Sequence, residues 1–319
     1  MTKFLDIHLA NDAERLVAHE NCHDVWSQGL DVGDHVSRRE NSPLHRRARW
    51  VVGCLDGRVV AALASHPLRF LLHGRSLAGI GLASVHTLSA FRGQGLAQRL
   101  IRWIEDFERR QGARLSVLFC DIEPRYYGRL GYVLCPAHCG WTSTASARAT
   151  SDDANGGLQL VPVDAAVTFA EQVPTHAALY DSDHACRPLA IERTTEYWLH
   201  LAARHPSTAR YWLVAPSGDR CGYAWLRSEG QDLILDDHAV RDGEQGAREA
   251  LFRQTILVAA RRGFARAGGW FPACEPAESL FELAPRQDEI TMLKPLDEGV
   301  TLDDAVLAAA DWLQEIDHV

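Results

Sequence analysis

The chain has 319 residues, 46% of them hydrophobic, with 42 acidic against 33 basic side chains and a formal net charge of −9. This length predicts two domains, and the apolar content is enough for packed cores without long disordered stretches. The negative charge disfavours a nucleic acid or an anionic membrane as the main partner, and it favours a cationic, amine-bearing small molecule. Because the N-terminus lacks a signal peptide's apolar core, and no run approaches the roughly 20 apolar residues of a membrane span, we expect a cytoplasmic protein.

The first part of the chain is predicted to form a helix and then an antiparallel sheet. Asn11 is a helix N-cap signal with acidic residues in the turn that follows it. Asp56-Gly57 is a strong hairpin signal between two β-rich runs, so a meander should come next. The predicted elements are a strand over residues 4–7, a helix from Asn11 to about Gln28, a polar, turn-rich stretch over 31–47, and strands over 50–55, 58–65, 68–72 and 77–88.

A glycine-bearing turn joins the last of these strands to an amphipathic helix. The turn is Arg92-Gly93-Gln94-Gly95-Leu96-Ala97, and its glycines allow backbone N–H groups to approach a ligand without intervening side chains. The helix is apolar on one face and stops at Gly112, and its positive N-terminal end points back at the turn. The turn therefore predicts an anion-binding site. A tight connection without a ligand is the alternative when a glycine turn is taken alone.

A second motif follows the next predicted strand, over residues 115–120. It is Tyr126-Tyr127-Gly128-Arg129-Leu130-Gly131-Tyr132. In this order, the two motifs resemble the signature of the GNAT superfamily of N-acetyltransferases. The resemblance implies that the turn binds the pyrophosphate of acetyl-CoA. It also implies that the preceding strand is bulged and splayed, and that it binds the pantetheine arm through its main chain. The implied cofactor-binding residues are Val85, Thr87, Arg92, Gly93, Gln94, Gly95, Leu96 and Ala97.

The resemblance also assigns catalytic roles. Tyr127 lies four residues before Gly131, as in the family, and would protonate the departing CoA thiolate. Main-chain N–H groups near Val85 would stabilise the thioester oxyanion. An alkyl amine arrives protonated at neutral pH, so another group must take its proton. His86 and Asp121 are the nearest candidates by sequence, with packing of His86 into the core and helix capping by Asp121 as the alternatives.

The acceptor pocket of GNAT proteins is shaped by the first helices and their loop. On that basis Trp26, His35 and Arg38 are candidates for the pocket wall, and packed or solvated positions are the alternative for each.

The same order of elements recurs in the second part of the chain. Small and polar residues over 147–157 mark a linker, and a helix predicted over 247–262 ends at Gly263 as the first ends at Gly112, which indicates an internal repeat. The second turn carries Asp242 and Glu244 where a pyrophosphate would bind, and Phe281 lies near the position expected for the tyrosine. We therefore predict a catalytic domain over 1–146, and a degenerate one over 158–319 with a closing C-terminal helix.

Metal binding is not expected. The segment 135–139 contains two cysteines around His138, but on a strand the histidine would face away from them. His19, Cys22 and His23 share a helix face without an evident fourth ligand. The eight cysteines form no Cys-x-x-Cys pair, and in a reducing cytoplasm we expect them to be free.

The chain further resembles the tandem-GNAT core of the enhanced-intracellular-survival acetyltransferases, without their C-terminal sterol-carrier-like domain. The resemblance implies an α/β (α+β) fold of two tandem GNAT-like domains, each with a mixed, mostly antiparallel sheet flanked by helices. It implies acetylation of a primary amine on a small molecule or peptide, with acetyl-CoA as co-substrate and no metal, in a chain that can form homo-oligomers. A non-catalytic acyl-CoA-binding regulatory protein of GNAT fold is the alternative, which the intact Tyr127 disfavours.

Overall fold

The computed structural model describes residues 4–145, 157–244 and 246–319. Two mixed, mostly antiparallel sheets flanked by helices make up the molecule, which confirms the predicted α/β architecture. The predicted linker over 147–157 lies outside the described residues, except for Gly157. Among the described helices, none is both long and apolar enough to cross a membrane.

The first sheet contains the predicted meander. Its strands are β1 (Asp6–Leu9), β2 (Arg49–Leu55), β3 (Arg58–Leu72), β4 (Arg75–Thr87), β5 (Leu115–Cys120), β6 (Val133–Leu134), β9 (Leu189–Ile191) and β15 (Ile290–Pro295). They are ordered β1-β2-β3-β4-β5-β15-β6, and β9 pairs with the far end of β3. The predicted turn at Asp56-Gly57 joins β2 to β3, and a turn at His73-Gly74 joins β3 to β4, with positive φ at all four residues.

The second sheet repeats this arrangement. Its strands are β7 (His138–Ser143), β8 (Gln159–Pro162), β10 (Ala209–Val214), β11 (Arg220–Glu229), β12 (Asp232–Val240), β13 (Arg266–Trp270) and β14 (Glu282–Pro285). Their order is β14-β7-β13-β12-β11-β10-β8.

The helices agree with the predictions in the centre of each half and differ at the ends. The helix predicted from Asn11 stops at Asn21, and a second short helix follows Cys22. The stretch predicted as turn-rich forms two helices, because Asp31 caps the first and Ser42-Pro43 starts the next. The helices are α1 (Asp12–Asn21), α2 (His23–Trp26), α3 (Val32–Asn41), α4 (Pro43–Arg47), α5 (Leu96–Arg110), α6 (Arg125–Gly128), α7 (Phe169–His184), α8 (Thr195–Arg204), α9 (Ala247–Arg261), α10 (Ala277–Leu280) and α11 (Asp304–Ala309).

The predicted closing helix is shorter than expected. After α11, the chain makes 3₁₀ turns at Ala310–Trp312 and Glu315–Asp317. Leu313, between these turns, and Ile316, within the second, are nevertheless buried in the core.

The two sheets exchange their last strands. Strand β7 follows β6 in the chain but lies between β13 and β14 in the second sheet, while β15 lies between β5 and β6 in the first. The exchange crosses the predicted division between residues 1–146 and 158–319, and that division stays a prediction. A sequence pattern identifies a strand but does not choose between two equivalent partners, since both offer the same row of N–H and C=O groups.

Three layers of packing hold the molecule together. Helix α5 covers the outer face of the first sheet and α9 that of the second. Between the inner faces lies one continuous apolar core that includes Phe70 from the first sheet, Trp225 from the second and Trp198 from α8. Burial of such aromatic side chains contributes most of the stabilising free energy of a core. We therefore expect the two halves to unfold together as one unit.

Candidate active site

Strands β4 and β5 are hydrogen-bonded over only part of their length. Their parallel pairing runs from Gly79–Leu115 to Leu82–Leu118 and stops there, although β4 continues to Thr87. The main chain of residues 83–87 therefore has no described strand partner on its β5 side. An extended ligand can pair with such an edge as an added strand.

A β-bulge causes this divergence. Ala62 pairs with His86 and Ala64 with Ala83, so β4 has one residue more than β3 at Ser84 and Val85. Ser84 has a φ of 50°, in the left-handed region that costs a non-glycine residue of the order of 1 kcal/mol. The bulge bends β4 away from β5, and it confirms the bulged and splayed strand implied by the family resemblance.

The glycine turn lies at the end of the splayed strand. Gly93 and Gly95 have φ of 78° and 71°, and a Cβ atom at either would meet nothing within 4 Å. Helix α5 starts after Gly95 without a side-chain cap, so its first N–H groups are not satisfied by a capping side chain. Arg92 Nε donates to the Thr87 carbonyl oxygen at 3.0 Å and ties the turn to β4. An open, uncapped and positive helix end is suited to an anion.

The other predicted turn residues differ in burial. Leu96, the first residue of α5, is buried in the core and Ala97 is half-buried, while Gln94 is exposed.

Helix α6 places Tyr127 at the end of β5. The side chain is 8% exposed and packs edge-on against Tyr126 and Tyr132, at 5.1 and 6.0 Å between ring centroids. Burial raises the pKa of Tyr127 above its usual value, so the hydroxyl is protonated at neutral pH. Among the described residues, none accepts a hydrogen bond from it. A buried hydroxyl without an internal partner is available to donate to a ligand.

His86 lies on the inner side of β4, next to α2. Its Nε2 is 3.4 Å from Asp24 Oδ1, within ion-pair distance but poorly aligned for a hydrogen bond, and its ring packs against Trp26 at 6.1 Å. Burial lowers the pKa of His86, and the Asp24 carboxylate partly offsets this. The imidazole is therefore neutral at pH 7 and able to accept a proton.

Asp121 follows β5 at an exposed position. Its Oδ1 accepts a hydrogen bond from the Glu289 main-chain N–H at 3.1 Å, which ties the loop before β15 to the end of β5. It does not cap α6, which starts at Pro124 without a side-chain cap. Reduced solvation raises the pKa of Asp121, and no described contact joins it to His86.

Of the three residues predicted for the acceptor pocket, only Trp26 lies beside His86. His35 is fully buried, with its Nε2 at 3.6 Å from Cys22 Sγ, and Arg38 is exposed and donates to the Trp26 carbonyl oxygen. Arg39 lies beside Trp26 instead, at the predicted wall of the acceptor pocket. Its guanidinium carbon is 5.4 Å from the centre of the Trp26 ring.

Two residues of this wall were missed by the sequence reasoning. Asp24 gave no signal, because a single acidic residue after a histidine is typical of a solvated surface. Arg39 lies four residues after His35 on α3, so the helical period alone places it on the same buried face.

The second half of the chain retains the geometry of the site. Pairing of β12 with β13 stops at Leu235–Gly269, and β12 has an extra residue at Asp236. Helix α9 also follows a left-handed glycine, Gly246, with a φ of 74°. The equivalent bulge and splay support the internal repeat.

Buried ion pairs occupy this second splay. Arg193 Nη1 lies 2.7 Å from Asp237 Oδ2, and its Nη2 lies 2.6 Å from Asp317 Oδ2 near the end of the chain. The cavity beside the second turn, of about 400 Å³, has Asp242 and Glu244 in its lining. These contacts disfavour an anionic ligand there.

No phenol replaces Tyr127 in the second half. Ser279 is the third residue of α10, as Tyr127 is the third of α6, whereas the sequence pointed to Phe281. Phe281 lies just beyond α10 and stacks on Phe271 at 4.2 Å in the core.

The two cysteine–histidine segments have other partners in the structure. His138 Nδ1 lies 2.8 Å from Asp311 Oδ2, and His19 Nε2 lies 3.0 Å from Glu40 Oε1. All eight cysteines are free thiols, as predicted. In the described part of the chain, the groups close enough to share a cation are those of His8, Glu14 and Cys54, where the imidazole is already bonded to the carboxylate.

Comparison with known proteins agrees with this geometry. Residues 6–135 match the family model described as acetyltransferase (GNAT) domain. No curated protein has a significantly similar sequence. Among solved structures, a GCN5-related N-acetyltransferase from Anabaena variabilis is similar, with a TM-score of 0.70, 17% identity, and coverage of 92% of this chain and 73% of that one. Eis1 from Mycobacterium abscessus is similar with a TM-score of 0.61 and 17% identity, over 92% of this chain and 74% of that one. A tandem GNAT protein from the clavulanic acid biosynthesis pathway is similar with a TM-score of 0.56 and 14% identity, over 93% of this chain and 100% of that one.

The first part of the chain is therefore a GNAT acetyltransferase domain. The chain as a whole has the tandem-GNAT fold, and its structural neighbours include Eis1.

Proposed function

We propose that this chain is an N-acetyltransferase that transfers an acetyl group from acetyl-CoA to a primary amine of a small molecule or peptide, by direct attack in a ternary complex. One observation carries the proposal: the splayed end of β4 leads directly to the open, uncapped turn at Gly93 and Gly95, and the Tyr127 hydroxyl, for which no described residue is an acceptor, lies beyond the end of β5. A binding site alone does not need a proton donor at that position.

The residues present fit acetyl-CoA. The main chain of the turn holds the pyrophosphate, with Arg92, Gly93, Gln94, Gly95, Leu96 and Ala97 as its binding residues. Val85 and Thr87, on the end of β4 that has no described strand partner on its β5 side, bind the pantetheine arm through their main chain. When bound, acetyl-CoA supplies the acetyl group as an activated thioester.

Three side chains divide the proton transfers. Tyr127 donates a proton to the leaving sulfur, for which its raised pKa keeps it protonated. His86 accepts the proton of the amine, because burial keeps it neutral. Asp121 is the second candidate base. The main-chain N–H groups near Val85 stabilise the charge that develops on the carbonyl oxygen.

In this proposal the chemistry belongs to residues 1–146, and residues 158–319 serve as a scaffold that also supplies β15 to the first sheet. In this proposal the protein works in the cytoplasm, without a metal, and can form a homo-oligomer.

The test is release of free thiol from acetyl-CoA with a panel of aminoglycosides, polyamines, amino acids and peptides, with the acetylated product identified by mass spectrometry. We expect turnover with at least one amine. Tight acetyl-CoA binding without turnover across the panel would instead support the non-catalytic acyl-CoA-binding alternative.

A further inference from the structure

A buried guanidinium lies beside the bulge of β4, and none of the described carboxylates pairs with it. Arg39 is 6% exposed. Its Nη1 donates to His45 Nε2 at 3.0 Å and lies 3.4 Å from Ser84 Oγ. Burial lowers the pKa of Arg39, and no described carboxylate offsets this effect. A buried charge without a counter-charge is costly, so its presence beside the bulge points to a ligand.

Other buried arginines in the described part of the chain are satisfied or enclosed. Arg193 pairs with two carboxylates, Asp237 and Asp317. Arg286 donates to Thr291, and its remaining nitrogens are enclosed by protein. The Nε and Nη2 groups of Arg39, in contrast, have no described partner and are not enclosed. They are free to donate to a bound molecule.

The position of Arg39 connects it to the reacting groups. Ser84, which it contacts, is part of the bulge whose main chain faces the proposed thioester. Trp26, which it underlies, packs on His86, the proposed base. When the amino group of an acceptor is placed for attack at the bulge, the other substituents of the carbon that bears it therefore lie towards Arg39.

The guanidinium fork matches a planar anion. Arg binds a carboxylate through two parallel N–H donors, and such charged hydrogen bonds are roughly twice as strong as neutral ones. A cation so close also disfavours the ammonium form of the acceptor, which assists loss of its proton.

We propose that Arg39 binds a carboxylate of the acceptor, so that the substrate is an amino acid or another amine with a carboxylate a few bonds from the amino group. This inference rests on the proposed function, since it specifies the acceptor of the same site. Asp24, 58% exposed on the other side of His86, is placed to contact a second, cationic group of the acceptor.

The experiment compares acceptors that differ only in the carboxylate: lysine with its amide and with cadaverine, and ornithine with putrescine. For the wild type we expect kcat/KM to be at least about 10-fold higher for the carboxylate form, the scale of one charged hydrogen-bonded pair. Arg39→Gln should remove this preference, by lowering kcat/KM about 10- to 100-fold for the carboxylate acceptors only. Arg46→Gln, a change at an exposed arginine of α4 with no role in the proposed site, is the matched control and should alter neither.

Folding of the variant is checked independently. Because the described part of the chain gives Arg39 no counter-charge, Arg39→Gln should keep or raise Tm. Arg39→Lys keeps the charge without the fork, and we expect an intermediate preference.

Acceptor binding in the presence of CoA, measured by calorimetry, separates this inference from the proposed function. Carboxylate-dependent binding that Arg39→Gln removes, without turnover of any acceptor, would support the site and contradict the acetyltransferase. Turnover without preference for the carboxylate, or an equal loss for both acceptor types in Arg39→Gln, would overturn the role of Arg39.

Discussion

At the scale of single residues, the proposed reaction depends most on Tyr127, the proton donor to the leaving sulfur. It is buried between two other tyrosines, and it lacks a hydrogen-bond acceptor among the described residues. We expect Tyr127→Phe to lower kcat by about 10²-fold or more, the usual scale for loss of a positioned acid, while acetyl-CoA affinity changes little. Steady-state kinetics and calorimetry measure the two quantities.

Tyr126→Phe is the matched control for this variant. Tyr126 is half-buried and packs edge-on against Tyr127, so its hydroxyl should matter less. A damaging Tyr126→Phe beside a neutral Tyr127→Phe would shift the assignment by one residue.

At the scale of elements, the chain contains the same turn and helix twice. Gly95→Asp adds a side chain and a negative charge where the first turn is open, and it should abolish acetyl-CoA binding in a calorimetric titration. Gly246→Asp imposes the same backbone strain on the second turn, since the φ values are 71° and 74°. It should leave acetyl-CoA affinity unchanged.

Circular dichroism of both variants tests whether they fold. Equal loss of acetyl-CoA affinity in two folded variants, or undiminished affinity in Gly95→Asp, would rule out the first turn as the pyrophosphate site.

At the scale of the whole molecule, we expect one acetyl-CoA per chain. The second splay is occupied by Arg193 and its two carboxylates, and the second turn has Asp242 and Glu244 in its lining. Equilibrium dialysis or calorimetry should therefore give a stoichiometry near one. A titration that reaches two per chain, or ligand density beside Gly246 in a crystal soak, would show that both halves bind.

Buried histidines should make the whole molecule sensitive to acid. Burial lowers the pKa of His66, His176 and His205 to about 3, and that of His19 to about 4, from a usual value of 6.5. Between those values the unfolded chain binds more protons than the folded one. The stability that these histidines contribute is therefore fully present above about pH 6.5. As the pH decreases from there towards 4, the free energy of unfolding falls by about 1.4 kcal/mol per pH unit for each such histidine.

Urea unfolding at several pH values and constant ionic strength measures this slope. His176 packs among Trp212, Tyr223 and Phe169, so His176→Phe should fit the site and reduce the slope by the share of one histidine. An unfolding free energy that is independent of pH between 7 and 5 would contradict the neutral, buried state of these histidines.

The sequence by itself determined the elements whose chemistry is local. Glycines at left-handed positions define both turns, the apolar spacing of α5 defines its buried face, and Tyr127 follows from its spacing to Gly131. Hairpin signals such as Asp56-Gly57 fixed the meander in the same way, because a turn type depends on a few adjacent residues. The fold class and the family of the first part of the chain followed from these patterns.

Only the tertiary structure decided what depends on residues far apart in the chain. The exchange of β7 and β15 is a choice between equivalent edges, and the blocked second splay requires Asp317 to meet Arg193 across 124 residues. The pocket wall likewise brings Arg39 of α3 against Ser84 of β4, where the local pattern favoured Arg38. Charge complementarity and burial act through space, so a one-dimensional pattern of residues does not contain them.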